Sequence, residues 1–349
     1  MNQPSPWWNR GRHADRRPFL LARNRIKAAT RQHFETQGFT EVECATLQVS
    51  PGNETHLHAF ASEAVNRDGS STQYYLHTSP EFACKKLLAA GERKIFDFAR
   101  VYRNREHAPV NVPEFTMLEW YRAGESYDAV IADCIALLRL AAVTAGSESL
   151  SYRGRRVAAT AAPERLTVAE SFSRYAGIDL LGTLDAERAD RNELARQATR
   201  ASVMVADDDT WSDIFSRVLS ERIEPNLGFE RPTVLDEYPR VEAALARTCQ
   251  HDPRVAERFE IYVCGVELAN GFGELTDPEE QRRRFEHEMD EKQRIYGERY
   301  PIDEDFLAAL SQMPAASGVA LGFDRLVMLA TGAPSIEHVL WTPPIGRST

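Results

Sequence analysis

Two arginines and two glutamates, held far apart in the chain, carry the chemistry this sequence could do. Arg103 opens a polar stretch between two apolar, β-leaning segments, Phe98–Tyr102 and Phe115–Tyr121, and the stretch also holds Arg105, His107, Pro109 and Pro113. That pattern predicts an antiparallel hairpin with a long tip. Arg103, Glu106, Glu114 and Glu119 put much charge on otherwise core-like strands, and on composition alone a solvated surface hairpin is an equal reading. Far downstream, in SGVALGFDRLVMLATG (Ser317–Gly332), a glycine-containing strand runs into a helix that opens on Asp324-Arg325. A helix start is already favourable for anions; a simple pair of Arg325 with Asp324 or Glu267 is the plainer alternative. Glu260 and Glu267 lie on strands separated by Cys264-Gly265. Across a tight hairpin that spacing can bring both carboxylates onto one face, where a cation between them relieves their repulsion.

The elements that must position these groups are legible in outline. The first helix is expected over Pro18 to about Gln37, stopped by Gly38, with residues 1–17 a polar, Arg-rich flexible arm. A strand over Phe39–Cys44, an irregular loop over Leu47–Phe60 and a strand over Tyr74–His77 follow. Thr78-Ser79-Pro80-Glu81 offers an N-cap, a first-turn proline and a glutamate set for a capping box, and the helix ends at Gly91. Tyr127–Ala145 is an apolar helix closed by Gly146. Residues 147–165 suit a linker or an exposed hairpin, and a helical insertion covers about 166–230, with a capping box at Thr210 and Asp213. Strands are expected at Pro232–Pro239, Phe259–Val263 and Val266–Phe272, a long helix from Asp277 to Tyr296, and a last strand and helix over Gly318–Ala330. Distant strands joined through hairpins predict an α+β fold, an antiparallel sheet flanked by helices, with residues 18–349 forming one domain.

Bulk properties exclude several classes. The chain has 349 residues, 43% of them apolar, and a net charge of −10, opposite to the basic footprint of a protein that grips nucleic acid through phosphates. Its five cysteines show no CxxC spacing, which speaks against a zinc site or a disulfide framework and for a reducing compartment. No apolar run reaches membrane-spanning length and no signal-peptide pattern opens the chain. A cytoplasmic protein is expected.

Four segments carry a resemblance: TSPEF (Thr78–Phe82), PEFTMLEWYR (Pro113–Arg122), GVELANGFGELTD (Gly265–Asp277) and GVALGFDRLVML (Gly318–Leu329). The chain, from about Phe19 to about Leu340, resembles the class II aminoacyl-tRNA synthetase catalytic domain, closest to the lysyl branch and within it to the truncated paralogues that ligate β-lysine onto elongation factor P. The resemblance implies amino-acid activation with ATP and Mg²⁺. Adenylate formation brings two anions together, so catalysis there is mainly positioning and charge neutralisation. By resemblance, Arg103 contacts the α-phosphate and the substrate carboxylate, and Arg325 the γ-phosphate. Adenine stacks on Phe115, and Glu260 and Glu267 hold Mg–ATP, with the Glu267-Leu268 backbone along the nucleotide. Asn104, Arg105, Glu106, Val112 and Gly322 complete the implied ATP site. Glu119, Tyr121, Asn270 and Glu274 match positions that read lysine, and Ser79, Pro80 and Glu81 the loop that closes over the amino-acid backbone. These acidic side chains, with few basic neighbours, favour a dicationic substrate. Where the lysyl branch carries G-x-G-x-G before the final Asp-Arg, the middle residue here is Ala320, as in the β-lysine ligases, which implies (R)-β-lysine over lysine.

The implied acceptor is a lysine ε-amine on elongation factor P. With only about seventeen residues ahead of the first helix, no anticodon-binding OB domain is expected, and tRNA is an unlikely acceptor by this resemblance. The alternatives are a lysine-adenylating paralogue acting on tRNA or another carrier, and an inactive synthetase-like regulator. Three departures stand out. The motif usually written R-N-E reads Arg103-Asn104-Arg105-Glu106, so either Glu106 meets the adenine amino group or Arg105 contacts ATP through its backbone. Pro109, Asn111 and Val112 replace tip contacts of relatives, with His107 or Arg105 as candidate substitutes. Glu43-Cys44-Ala45 lacks the first-motif proline near the expected homodimer contact.

Overall fold

The computed structural model describes residues 6–106, 108–185 and 188–343. In chain order the elements begin with α1 (Arg10–Thr36), β1 (Thr40–Glu41), β2 (Leu47–Gln48), β3 (Phe60–Val65), β4 (Ser71–Leu76) and α2 (Glu81–Ala89). The predicted hairpin forms from β5 (Lys94–Tyr102) and β6 (Glu114–Ala123), followed by α3 (Tyr127–Ala145) and a small hairpin, β7 (Ser149–Tyr152) with β8 (Arg155–Ala158). β9 (Glu164–Thr167) precedes the insertion helices α4 (Val168–Ala176), α5 (Arg191–Arg200) and α6 (Trp211–Val218). β10 (Thr233–Pro239), β11 (Val255–Val263), β12 (Val266–Gly273), α7 (Pro278–Tyr296), α8 (Glu304–Leu310), β13 (Ala316–Gly322) and α9 (Phe323–Thr331) complete the chain.

The main sheet runs β1-β5-β6-β13-β12-β11-β10-β9. Its interior pairings are antiparallel, as expected; the two edge strands, β1 on β5 and β9 on β10, are parallel. Several ends follow their local chemistry. Asp277 caps α7 by accepting from the Glu279 and Glu280 amides, and Thr210 and Asp213 form the anticipated capping box. Cys264 and Gly265, at φ 55° and 74°, make the two-residue turn between β11 and β12.

Two expectations are corrected. The segment expected as a flexible arm is helical from Arg10, with Pro18 inside α1 and Asn9 as its cap. The cause is tertiary: Arg16 is buried and donates to the Leu340 carbonyl, and Arg12 pairs with Glu337 at 3.6 Å. Residues 1–5 of that arm lie outside the described residues. Glu81 does not complete a capping box; Ser79 Oγ accepts the Glu81 amide at 3.1 Å, while the Glu81 carboxylate turns to Lys85.

The sheet's two faces divide the work. α1, α3 and α9 pack on one, where Trp120 and Leu118 of β6, Val319 and Leu321 of β13, and Phe259 and Ile261 of β11 join one core. Because strand side chains alternate, the residues between them point to the other face. Register places Glu119 opposite Ala320, Ala320 opposite Asn270, and Asn270 opposite Glu260. One row across β6, β13, β12 and β11 therefore carries the site. The insertion helices build a separate apolar cluster around Phe172, Trp211, Ile214 and Phe215. The sulfurs of Cys44 and Cys84 approach to 3.6 Å; both thiols are free.

Candidate active site

Above this row opens a cavity of about 520 Å³, within the usual range for small-molecule sites. Arg103, Glu106, Val112, Phe115, Ser79, Glu81, Glu260, Glu267, Leu268, Asn270, Ala320, Gly322 and Arg325 all line it. Glu119, Tyr121 and Glu274 lie buried beneath it. Pro80 faces a small neighbouring pocket instead.

The floor is a network of buried acids. Glu119 accepts hydrogen bonds from the Ser79 and Tyr121 hydroxyls, each at 2.6 Å. Burial, and next the nearby Glu81, raise its carboxyl to about 8. The fully buried Lys85 corrects the expectation of few basic neighbours: its ammonium lies 2.5 Å from Glu81 and 2.6 Å from Glu274. The Glu274 contact is an ion pair without good hydrogen-bond direction, since neither Glu274 oxygen has a directed partner among the described residues. Burial raises the Glu274 carboxyl to about 7 against the opposing pull of Lys85. Gly318 makes the floor possible, because a Cβ there would stand 2.3 Å from the Tyr121 ring and 2.5 Å from Glu274.

The other end is basic. Arg103 donates to the Thr78 carbonyl at 3.2 Å and lies 5.5 Å over the Phe115 ring. Arg325, in the first turn of α9, donates to the Glu267 carbonyl at 2.7 Å, the Val110 carbonyl at 3.2 Å and Asn111 Oδ1 at 2.9 Å. The plain Asp324–Arg325 pair is not formed: Asp324 is held by Arg23 and by the Thr116 amide. Glu267 lies 3.9 Å from Arg325. Its carboxyl is raised to about 7 by the surrounding protein and then by Glu260, although 44% of its side chain stays open to the cleft, so water moderates the first effect. Glu260 accepts from Arg258 and from the Tyr262 hydroxyl, both at 2.7 Å; the sequence pattern did not single out Arg258, which sits two residues before Glu260 on the same strand.

These two facing carboxylates fit a divalent cation only in company. Among the described residues no group of three or more His, Cys, Asp or Glu could hold a metal alone. Mg²⁺ bound through one or two carboxylates and substrate phosphates is consistent with that.

Two residues of the implied ATP site, Asn104 and Arg105, do not line the cavity with their side chains. Arg105 takes a left-handed backbone (φ 64°) and turns its guanidinium to Glu298 and over Tyr296. Asn104 pairs by its amide with the His58 carbonyl at 2.7 Å, and its side chain accepts the Arg105 amide. His107, the other candidate at the tip, lies outside the described residues. Glu106 lines the cavity and accepts from Asn111. Sequence reasoning missed Glu54, Thr55 and His56, which line the cavity from the irregular loop, and Phe215, Ser216 and Leu219, which reach it from the insertion.

A cavity with phosphate-suited arginines at one end and buried acids at the other, built on this sheet, defines an amino-acid-activating class. The sequence matches the family of tRNA synthetases class II (D, K and N) over residues 7–345, and the chain belongs to that family. Within it, the chain is similar to proteins named elongation factor P–(R)-β-lysine ligase: that of Haemophilus influenzae (strain PittGG) is 40% identical over 92% of this chain and 93% of its own length. Those of Proteus mirabilis (strain HI4320) and Klebsiella pneumoniae (strain 342) are each 38% identical over 93% of this chain and 94% of their own.

Proposed function

We propose that this protein activates (R)-β-lysine with ATP as an adenylate and transfers it to the ε-amine of a specific lysine on elongation factor P. One observation carries the reading: a single cavity joins an arginine pair, Arg103 and Arg325, to a floor of buried carboxylates. The names of the relatives support the substrates.

In this reading adenine lies against Phe115, near Glu106 and Val112, with the nucleotide along Glu267-Leu268 and Gly322. Arg103 holds the α-phosphate against the substrate carboxylate, and Arg325 holds the γ-phosphate. Glu260 and Glu267 would hold Mg²⁺ together with the phosphates, and the ion would supply neutralisation of phosphate charge. Glu119, Tyr121, Asn270 and Glu274 take the distal ammonium, and Ser79 and Glu81 the backbone end. Attack of the carboxylate on the α-phosphorus forms the mixed anhydride and expels diphosphate. The deprotonated acceptor amine then attacks the activated carbonyl, giving the amide and AMP. Ala320, directly between Glu119 and Asn270, sets the preference for the β-amino acid. The protein works in the cytoplasm as a homodimer, and its net charge of −10 disfavours tRNA as acceptor.

ATP–diphosphate exchange with lysine and (R)-β-lysine, followed by mass analysis of elongation factor P, tests this. Exchange stronger with (R)-β-lysine and a matching mass increase on the protein are expected. Transfer to tRNA, or no exchange with either amino acid, overturns the reading.

A further inference from the structure

Glu54 belongs to no segment that carried the resemblance, yet the fold builds a cradle for it. Its loop is clamped by α7: the buried Lys292 donates to the carbonyls of Thr55 at 2.8 Å, Leu57 at 2.6 Å and Glu54 at 3.4 Å. Glu288 on the same helix accepts the Thr55 amide at 2.9 Å and its hydroxyl at 2.5 Å. Asn53 is anchored by the Pro301 carbonyl at 3.3 Å. Gly52, at φ 115°, leaves room for the carboxylate, since a Cβ there would stand 2.6 Å from Glu54 Oε2. That oxygen is buried and has no hydrogen-bond partner among the described residues. A loop fixed this firmly around a carboxylate with one unpartnered oxygen is a preorganised binding element.

The charge balance says what it binds. Glu54 lines the cavity with Ser79, Glu81 and Arg103. The carboxylates of Glu54, Glu81, Glu119 and Glu274 gather at this end against Lys85, Arg103 and Lys292, the last already bound to the Thr55 and Leu57 carbonyls, which leaves an acidic surface suited to a ligand with ammonium groups. Burial and Glu81 raise the Glu54 carboxyl to about 7, with Arg103 opposing. Geometry puts Arg103 close by: a Cβ on Gly52 would stand 3.3 Å from the Thr78 hydroxyl as well as 2.6 Å from Glu54 Oε2, and the Thr78 carbonyl accepts from Arg103 at 3.2 Å. Glu54 therefore stands at the end nearer the reacting carboxylate.

We infer that Glu54 is a specificity-determining residue that receives the substrate's second ammonium group, the one closer to the carboxylate, an inference that rests on the lysine-like substrate proposed above. The test compares calorimetric affinities of the wild type, Glu54→Gln and Glu54→Asp for (R)-β-lysine and for 6-aminohexanoate, which keeps the distal amine and lacks the other. Weak binding of 6-aminohexanoate is read by competition, and melting temperatures confirm folding. Glu54→Gln is expected to lose about ten- to a hundredfold in affinity for (R)-β-lysine, the range for a hydrogen bond to a charged group, with 6-aminohexanoate affected less than about twofold and Glu54→Asp recovering part of the loss. Equal losses for both ligands, or none for either, overturn the inference while leaving the substrate reading intact. A wild type that binds neither ligand overturns the substrate reading and this inference with it.

Discussion

The two ends of the cavity are held by different kinds of partner. At the amino-acid end the acids are fixed by Lys85 and by the hydroxyls of Ser79 and Tyr121. At the other end Arg103 and Arg325 donate to neutral acceptors, the carbonyls of Thr78, Val110 and Glu267 and the amide of Asn111, with the Glu267 carboxylate 3.9 Å from Arg325. Taking Lys85 from its buried acids leaves charges unpaired inside the protein, whereas a guanidinium that leaves a neutral carbonyl strands no charge. The acidic floor is thus a fixed template, whereas the arginines can exchange their resting partners for phosphate oxygens. Two of those partners, Val110 and Asn111, belong to the hairpin tip, so the phosphate contact proposed for Arg325 would couple nucleotide entry to tip position.

The largest effect should come from breaking the template. Lys85→Met leaves Glu81 and Glu274 without their buried cation and should cost roughly 3–5 kcal/mol of stability, read as a lowered denaturation midpoint; an unchanged midpoint would show that the floor does not depend on the pair. Arg325→Ala should slow ATP–diphosphate exchange by roughly 10²–10³-fold, the scale for losing one preorganised charge-stabilising group, while calorimetric lysine affinity holds. A comparable loss of lysine affinity would erase the distinction between the ends.

The template also predicts a pH response. Glu119 is raised from 4.5 to about 8, and Glu274 and Glu54 to about 7. The folded protein therefore keeps protons that the unfolded chain releases near 4.5, and these groups lower the stability of the ligand-free protein as pH rises from there through 8. An ammonium ligand needs the ionised forms. Its affinity should climb between pH 6 and 8, by about tenfold per unit for each group still protonated, with proton release seen as a buffer-dependent binding enthalpy. A flat profile would contradict a floor of protonated acids. Ala320→Gly should shift the lysine-to-β-lysine exchange ratio toward lysine by about 1–3 kcal/mol. Smallest of all, Asn111→Ala should change the KM for ATP by only about threefold, the worth of one hydrogen bond of about 0.5–1.5 kcal/mol; a hundredfold change would make the tip part of the template.

Residues that bond to near neighbours were legible. The Asp277 cap, the Thr210–Asp213 box, the span of α3 and the hairpin turn at Cys264-Gly265 all rest on contacts within a few positions. Residues whose partners lie far away were not. Arg10–Arg17 reads as a polar arm because Leu340 and Glu337, which order it, lie more than 300 positions downstream. Lys85 reads as an ordinary helix lysine until Glu274 meets it. Arg105 belongs to a recognisable motif, yet its left-handed backbone sends it to Glu298.

By itself the sequence determined the strand alternation and the caps and turns, because side-chain period and local hydrogen bonding are short-range properties; its resemblance to a known family singled out Arg103, Glu119, Asn270, Glu274 and Arg325 as candidates. Tertiary structure alone decided the register that aligns Glu119, Ala320, Asn270 and Glu260 in one row, the ion pairs that hold the floor, and the clamp that presents Glu54. Each of these depends on burial and on partners from distant segments, and a charge's environment exists only once the chain has closed around it.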